Sequence, residues 1–373
     1  MNFYEKLCAR LAAEPRAWLV TGAAGFIGSH LVETLLKLGQ RVLGLDNFSL
    51  GSPQNIAAVE ESVTAAQWRR FHLLHADVRD LDACRNACRG VQVVLHQAAL
   101  GSVPRSLADP IASHANNVSG HLNMLHAARE AGVARFVYAS SSAIYGDDPE
   151  LPRVEARIGR PLSPYALTKR LNEMYADIYA RCFGYHSIGL RYFNVFGPRQ
   201  NPAGPYAAVI PAWIGAMLRG EPACINGDGS AARDFCYVEN AVQANLLAAT
   251  VENPRALDES YNVALDAMTT LNELFELLRA LLAPQHPHLR ALKPTHGPTR
   301  PGDVAYSRAD IGKSVALLGY RPQWNLRDGL ARTVAWYAAQ AASGLVPSVR
   351  SATRSRNIAR PDSPTPSSTL RNP

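Results

Sequence analysis

The sequence predicts an α/β fold, a doubly wound parallel sheet with a smaller C-terminal substrate-binding region. Three observations carry that prediction. Short apolar runs without polar alternation recur through the first half, amphipathic stretches separate several of them, and a glycine-rich turn joins the first run to the first such stretch. Strands that are apolar on both faces need helices on both faces, which is the parallel-sheet arrangement.

Taken in order, a short helical extension at 3–13 comes before the first strand, "AWLVTG" at 17–22. "RVLGLD" (41–46), "FHLLHADV" (71–78), "VQVVLHQAA" (91–99), "RFVYASSS" (135–142) and "HSIGLRYFNVFG" (186–197) read as the further buried strands. "GFIGSHLVETLLKLG" (25–39) and "NNVSGHLNMLHAAREAG" (116–132) carry helical periodicity between them. After residue 197 proline and glycine become frequent, and the clear helices are 271–282 and 329–342. The expected division is a nucleotide-binding domain at 1–197, a substrate-binding region at 198–342 and a disordered basic tail at 343–373.

A chain of 373 residues with 47% hydrophobic and 18% charged residues is that of a globular enzyme. The net charge of +7 would suggest nucleic acid if it were spread over a surface, but 343–373 alone holds five arginines and one aspartate. A Ser-, Pro- and Arg-rich segment with little to bury stays solvated. Six scattered cysteines form neither a CxxC pair nor a Cys/His metal spacing, so no metal is expected and the thiols read as reduced. No apolar run approaches the roughly 20 residues a membrane span needs. The expectation is a cytoplasmic protein with no nucleic-acid or membrane partner.

"VTGAAGFIGSH" places glycines at 22, 25 and 28 between a strand and a helix, and Asp46 ends the next strand. That context is the dinucleotide fingerprint. Gly22 makes the turn, Gly25 admits a diphosphate near backbone N–H groups, and Gly28 lets the helix pack against the sheet. Asp46 suits ribose hydroxyls and repels a 2′-phosphate, which favours NAD over NADP. Glycines used only for packing, as in a flavodoxin-like fold, are the alternative.

"SPYALTK" sets Tyr165 one helical turn before Lys169, one of only five lysines. Ser163 suits a helix cap and Pro164 its first position, so both side chains share a face. A free phenol titrates near about 10; a neighbouring ammonium and an oxidised nicotinamide are expected to lower it towards working pH. A core tyrosine beside a snorkelling lysine is the alternative for the pair alone.

The G-x-x-G-x-x-G spacing with Tyr-x-x-x-Lys resembles the extended short-chain dehydrogenase/reductase family over about residues 15–342. The resemblance implies a Rossmann domain and catalytic roles for Tyr165, Lys169, Ser141 and its neighbour Ser142. It further implies cofactor contacts from Gly22, Gly25, Phe26, Ile27, Gly28, Asp46, Asn47, Phe48, Ser49 and Gly51. Asp77 and Val78 would flank the adenine. Gln97, Ala98 and Ala99 would lie beside the dinucleotide with Asn116, Tyr165, Lys169 and Phe193. It also implies a homodimer joined by the helices at 116–131 and 165–183.

Within that family, sugar-nucleotide dehydratases carry an Asp-Glu pair after the serine or threonine, and decarboxylases a glutamate two residues on. Here those positions are Ser142 and Ala143, which cannot perform that acid–base step. The remaining chemistry is oxidation and re-reduction at one carbon, as in UDP-hexose 4-epimerases. That similarity implies substrate contacts from Gly101, Ser102, Ser141, Ser142, Tyr165, Asn194, Ala208, Val209, Asn226, Arg233, Arg300, Asp303 and Ser307. Ser307, where some relatives carry tyrosine, leaves room for a 2-acetamido group. The expected reaction is interconversion of UDP-GlcNAc and UDP-GalNAc for surface-polysaccharide precursors, with the corresponding 6-carboxylates as the alternative. A non-catalytic NAD-sensing regulator is a weaker alternative, since Tyr165, Lys169 and Ser141 are all present.

Overall fold

The computed structural model describes residues 2–203, 207–299 and 306–343. Arg300, Asp303 and the expected tail from 344 onward lie outside the described residues.

Six strands fall inside the stretches expected: β1 (Ala17–Thr21), β2 (Arg41–Asp46), β3 (Phe71–His75), β4 (Val93–His96), β5 (Arg135–Ser141) and β6 (Ser187–Tyr192). A seventh, β7 (Ser260–Val263), pairs with β6, and every pairing is parallel in the order β7-β6-β5-β4-β1-β2-β3. This is the doubly wound, Rossmann-type sheet, and its order reverses direction between β1 and β4. Ligands of such sheets bind outside the carboxyl ends of the strands at that reversal.

Helices cover both faces. On one, Leu31, Val32, Leu35 and Leu36 of α2 (Phe26–Lys37) share a core with Leu7 and Leu11 of α1 (Phe3–Ala13). On the other lie α3 (Leu81–Cys88), α4 (Gly120–Glu130) and α5 (Pro164–Phe183), packed through residues such as Cys84, Leu125 and Tyr179. The smaller region has its own core between α6 (Val209–Leu218), α8 (Leu271–Leu282) and α9 (Leu326–Ala342). Between α6 and α8 the chain returns to the sheet: α7 (Val238–Thr250) joins the α2 core, and β7 completes the edge. The two regions are therefore interleaved along the sequence and do not meet at a single boundary at 197.

A buried ion pair ties α5 to this edge. Glu173 accepts from Arg191 at 2.8 Å, with both side chains buried, and from the Ser140 hydroxyl at 2.6 Å. Arg191 also donates to the Tyr145 hydroxyl, which donates to Asn262 of β7 at 2.6 Å. Burying charge is tolerated when every partner is satisfied in this way. Among the described residues no helix is long and apolar enough to cross a membrane.

Candidate active site

The first turn is built by its glycines. Gly22 has φ +68, where a side chain would be strained, and a Cβ there would lie 2.9 Å from the Ala98 nitrogen. A Cβ on Gly28 would lie 1.9 Å from the Gly22 carbonyl oxygen, so only glycine lets α2 start this close to β1. At the end of β2, Asp46 is buried and accepts from Ala24 N (2.9 Å) and Phe48 N (2.7 Å). Each carboxylate oxygen retains acceptor capacity for a ribose hydroxyl.

A cavity of about 890 Å³ runs from this turn past Asp46 to Tyr165 and Lys169. Most of the expected cofactor positions line it, among them Phe26, Ile27, Asn47, Ser49, Gly51, Val78, Gln97, Ala98, Ala99 and Asn116. Asp77 stands behind the wall, taking Asn47 Nδ2 at 2.8 Å and a bidentate Arg79, which holds its carboxyl down at about 2. From there it holds the Asn47 amide. Phe48, in left-handed backbone at φ 57, packs edge-on against His75 away from the wall.

Phe193 does not reach the cavity. It is fully buried against Tyr145, and the residue on the wall is its neighbour Tyr192, because successive side chains at a strand end face opposite ways. Tyr192 donates to Gln97 (2.9 Å) and accepts from Asn245 (2.7 Å), fixing the amide the sequence had singled out. Asn117, adjacent to Asn116 in the π-helical turn Ala115–Ser119, accepts from Leu100 N and donates to Leu100 O, pinning the loop after β4. Spacing alone cannot separate the two asparagines, since a π turn shifts the helical register by one residue.

At the reactive end, Ser163 caps α5 by accepting from Ala166 N at 3.1 Å, and Pro164 occupies the first turn, as expected. Tyr165 N is held by the Ser106 hydroxyl at 3.0 Å, and the Tyr165 phenol shares a hydrogen bond with Ser141. Lys169 is buried and donates to the Ala139 carbonyl at 2.8 Å. The expected lowering of the phenol calls on the oxidised nicotinamide as well as on the ammonium. Among the chain's own groups, burial pushes the phenol up and the Ser141 hydrogen bond opposes it. Burial also draws the Lys169 ammonium down to about 8.

The expected substrate positions divide. Gly101 and Ala208 line the cavity, with Ala208 at the start of α6 before Val209. Ser102 caps a short helix by accepting from Arg105 N, and Ser141 accepts from Ala143 N at 3.1 Å, placing Ser142 at the start of the turn Ser142–Tyr145. Arg233 and Ser307 face each other as register partners on adjacent short strands. Asn194 donates to the Asp234 carbonyl, and Asp234 itself, pushed up to about 6 by burial, accepts from Leu265, Ala267 and Ala309 N–H groups. Asp234 thus ties together the segments bearing Asn194, Arg233 and Ser307. Asn226 sits on a separate strand paired with Gly297. Arg105 and Arg199 line the cavity although the motif reading passed over them.

A dinucleotide-binding enzyme with a Tyr–Lys pair at the sheet's reversal is what this arrangement defines. Residues 18–264 match the model of the NAD dependent epimerase/dehydratase family, and the chain belongs to that family. NAD is accordingly its cofactor, and the glycine turn and Asp46 fit it. The chain is 36% identical over 320 residues to a putative UDP-glucose 4-epimerase of Methanocaldococcus jannaschii, covering 85% of this chain and 97% of that protein. It superposes with TM-score 0.79 and 34% identity on a UDP-N-acetylglucosamine 4-epimerase from Methanobrevibacter ruminantium, solved with UDP-N-acetylmuramic acid and covering 87% of this chain and 99% of the other. A UDP-glucuronic acid 4-epimerase from Bacillus cereus, solved with UDP-glucuronic acid and NAD, gives TM-score 0.76 at 29% identity, with 87% and 99% covered.

Proposed function

We propose that the protein is a UDP-sugar 4-epimerase that interconverts UDP-GlcNAc and UDP-GalNAc for surface-polysaccharide precursors and works as a homodimer. One observation carries the choice of reaction. Among the described residues, the only carboxylates lining the cavity are Asp46, at the end of β2, and Glu61, on the helix Pro53–Ser62, neither on the elements that carry Ser141, Tyr165 and Lys169. Dehydration or decarboxylation needs an acid or base beside the reacting carbons, and Glu173, the nearest buried carboxylate on α5, is neutralised by Arg191. Epimerisation needs only one proton acceptor that can return what it takes.

In this reading Ser141 holds the C4 hydroxyl in line and Tyr165 removes its proton. Bound NAD supplies the hydride acceptor and, by its positive ring, favours the phenolate that burial disfavours. Rotation of the 4-keto sugar about its diphosphate arm would then present the other face of C4 for return of the hydride, as Tyr165 hands the proton back to the oxygen. Lys169 keeps positive charge near the phenol while it is protonated. Lys169→Met is therefore expected to raise the Tyr165 pKa and move the acid limb of kcat/KM to higher pH. A pH–rate profile of the variant checks this; an unmoved limb would separate Lys169 from the phenol.

The acetamido preference is supported by the solved relative named for UDP-N-acetylglucosamine and by the small side chain of Ser307 beside Arg233. Ser307→Tyr is expected to remove turnover of UDP-GlcNAc, and retained turnover would refute the size argument. Incubating the purified protein with UDP-GlcNAc, UDP-GlcNAcA and UDP-glucose separately, without added NAD, and reading the products by NMR tests the reading. The uronate alternative, favoured by the B. cereus relative, predicts turnover of UDP-GlcNAcA only. The homodimer is supported by apolar side chains left exposed along α5, Leu167, Met174 and Ile178, beside Leu107 and Ile111.

A further inference from the structure

Arg199 follows β6 on the segment that leads to α6, and sequence reading assigns it no role. Its side chain is only 5% exposed, and it lines the cavity together with Phe26 and Ile27 at the start of α2. Nη2 is fully committed, donating to Glu33 Oε2 at 2.6 Å and to His30 Nδ1 at 2.7 Å. His30 can accept because burial, followed by the charge of Arg199, holds its pKa at about 3, and its Nε2 proton goes to the Pro198 carbonyl at 3.0 Å. Nη1, by contrast, is buried and has no hydrogen-bond partner.

A buried, unpaired guanidinium nitrogen is costly unless a ligand completes it. The backbone points the same way: Arg199 holds φ 66, a left-handed conformation that a non-glycine residue adopts only when its surroundings impose it. Those surroundings are Glu33 and His30 of α2 on one side and, on the other, the Tyr337 hydroxyl of α9, which donates to the Gln200 carbonyl. Strain held from two sides beside a ligand cavity marks a residue positioned for the ligand.

We propose that Arg199 is a ligand of the cofactor's diphosphate, its Nη1 closing over an anion seated at the start of α2. The chemistry is shared by the diphosphate of the UDP-sugar, but the position of Arg199 beside Phe26 and Ile27 selects that of the dinucleotide. The anion would complete the charge that Glu33 only half balances, and the helix N-terminus would share it.

The test replaces Arg199 with Gln and measures the NAD content of the purified protein, followed by thermal stabilisation on adding NAD, ADP, adenosine or UDP. The expected result is NAD-depleted protein whose responses to NAD and ADP need about 10–100-fold more ligand, as for loss of one charge-assisted hydrogen bond. The responses to adenosine and UDP stay as in the parent. Arg199→Lys keeps a charge for Glu33 but loses the second arm of the fork; it is expected to fold and to show a smaller loss of the same kind. NAD content and ADP response at parental level in a folded variant would overturn the proposal, as would a weakened UDP response with ADP intact, which would place Arg199 at the substrate end. None of these readouts depends on which sugar is turned over.

Discussion

Tyr165→Phe is expected to lower kcat by about 10²–10⁴-fold, the usual worth of a positioned proton acceptor, while NAD content and KM change little. The ring keeps its place because the Tyr165 backbone N–H remains held by Ser106, and the Ser163 cap of α5 is untouched. Only the oxygen shared with Ser141 is lost. Steady-state kinetics, with the NAD:protein ratio read from absorbance, separate chemistry from binding. Undiminished sugar interconversion by the variant would remove Tyr165 from the reaction and with it the acid–base scheme built on it.

Gly28→Ala is the second large effect. The added methyl would meet the Gly22 carbonyl oxygen at 1.9 Å and its carbon at 2.7 Å, both backbone atoms that no rotamer change can move aside. Either α2 withdraws from β1 or the turn opens, and overpacking of this kind commonly costs about 1–3 kcal/mol. The dinucleotide loses its seat in either case, so a lower Tm and loss of co-purified NAD are expected together. Gly25→Ala, whose methyl would lie 3.0 Å from the same oxygen, should be milder. Full NAD content and an unchanged melting curve for Gly28→Ala would show that the contact is relieved at no expense.

What could be read from residues alone was what local chemistry dictates. The glycine turn, the Asp46 strand end, the Ser163–Pro164 start of α5 and the helix Leu271–Leu282 appear where their sequence signals placed them. What escaped depends on tertiary context. Nothing around Ser260–Val263 announces that it will pair with β6, because a parallel partner is chosen by the whole sheet. Tyr192 and Phe193 differ by one step of strand alternation, and only the fold says which one faces the cavity. The Tyr165–Lys169 spacing was visible, but the balance between charge and desolvation was not. The ammonium's bond to Ala139, thirty residues away, is set by how α5 lies across β5. Arg199 reads as an ordinary loop arginine until its burial is known.

The return of the chain to the sheet bears on how the protein is made. Until Ser260–Val263 has left the ribosome, β6 presents an unsatisfied ladder of N–H and C=O groups, and Tyr145 and Arg191 lack the Asn262 that terminates their hydrogen-bond chain. Open edges of this kind invite pairing with other chains. The nascent nucleotide-binding half therefore keeps an open sheet edge until this late segment emerges to seal it.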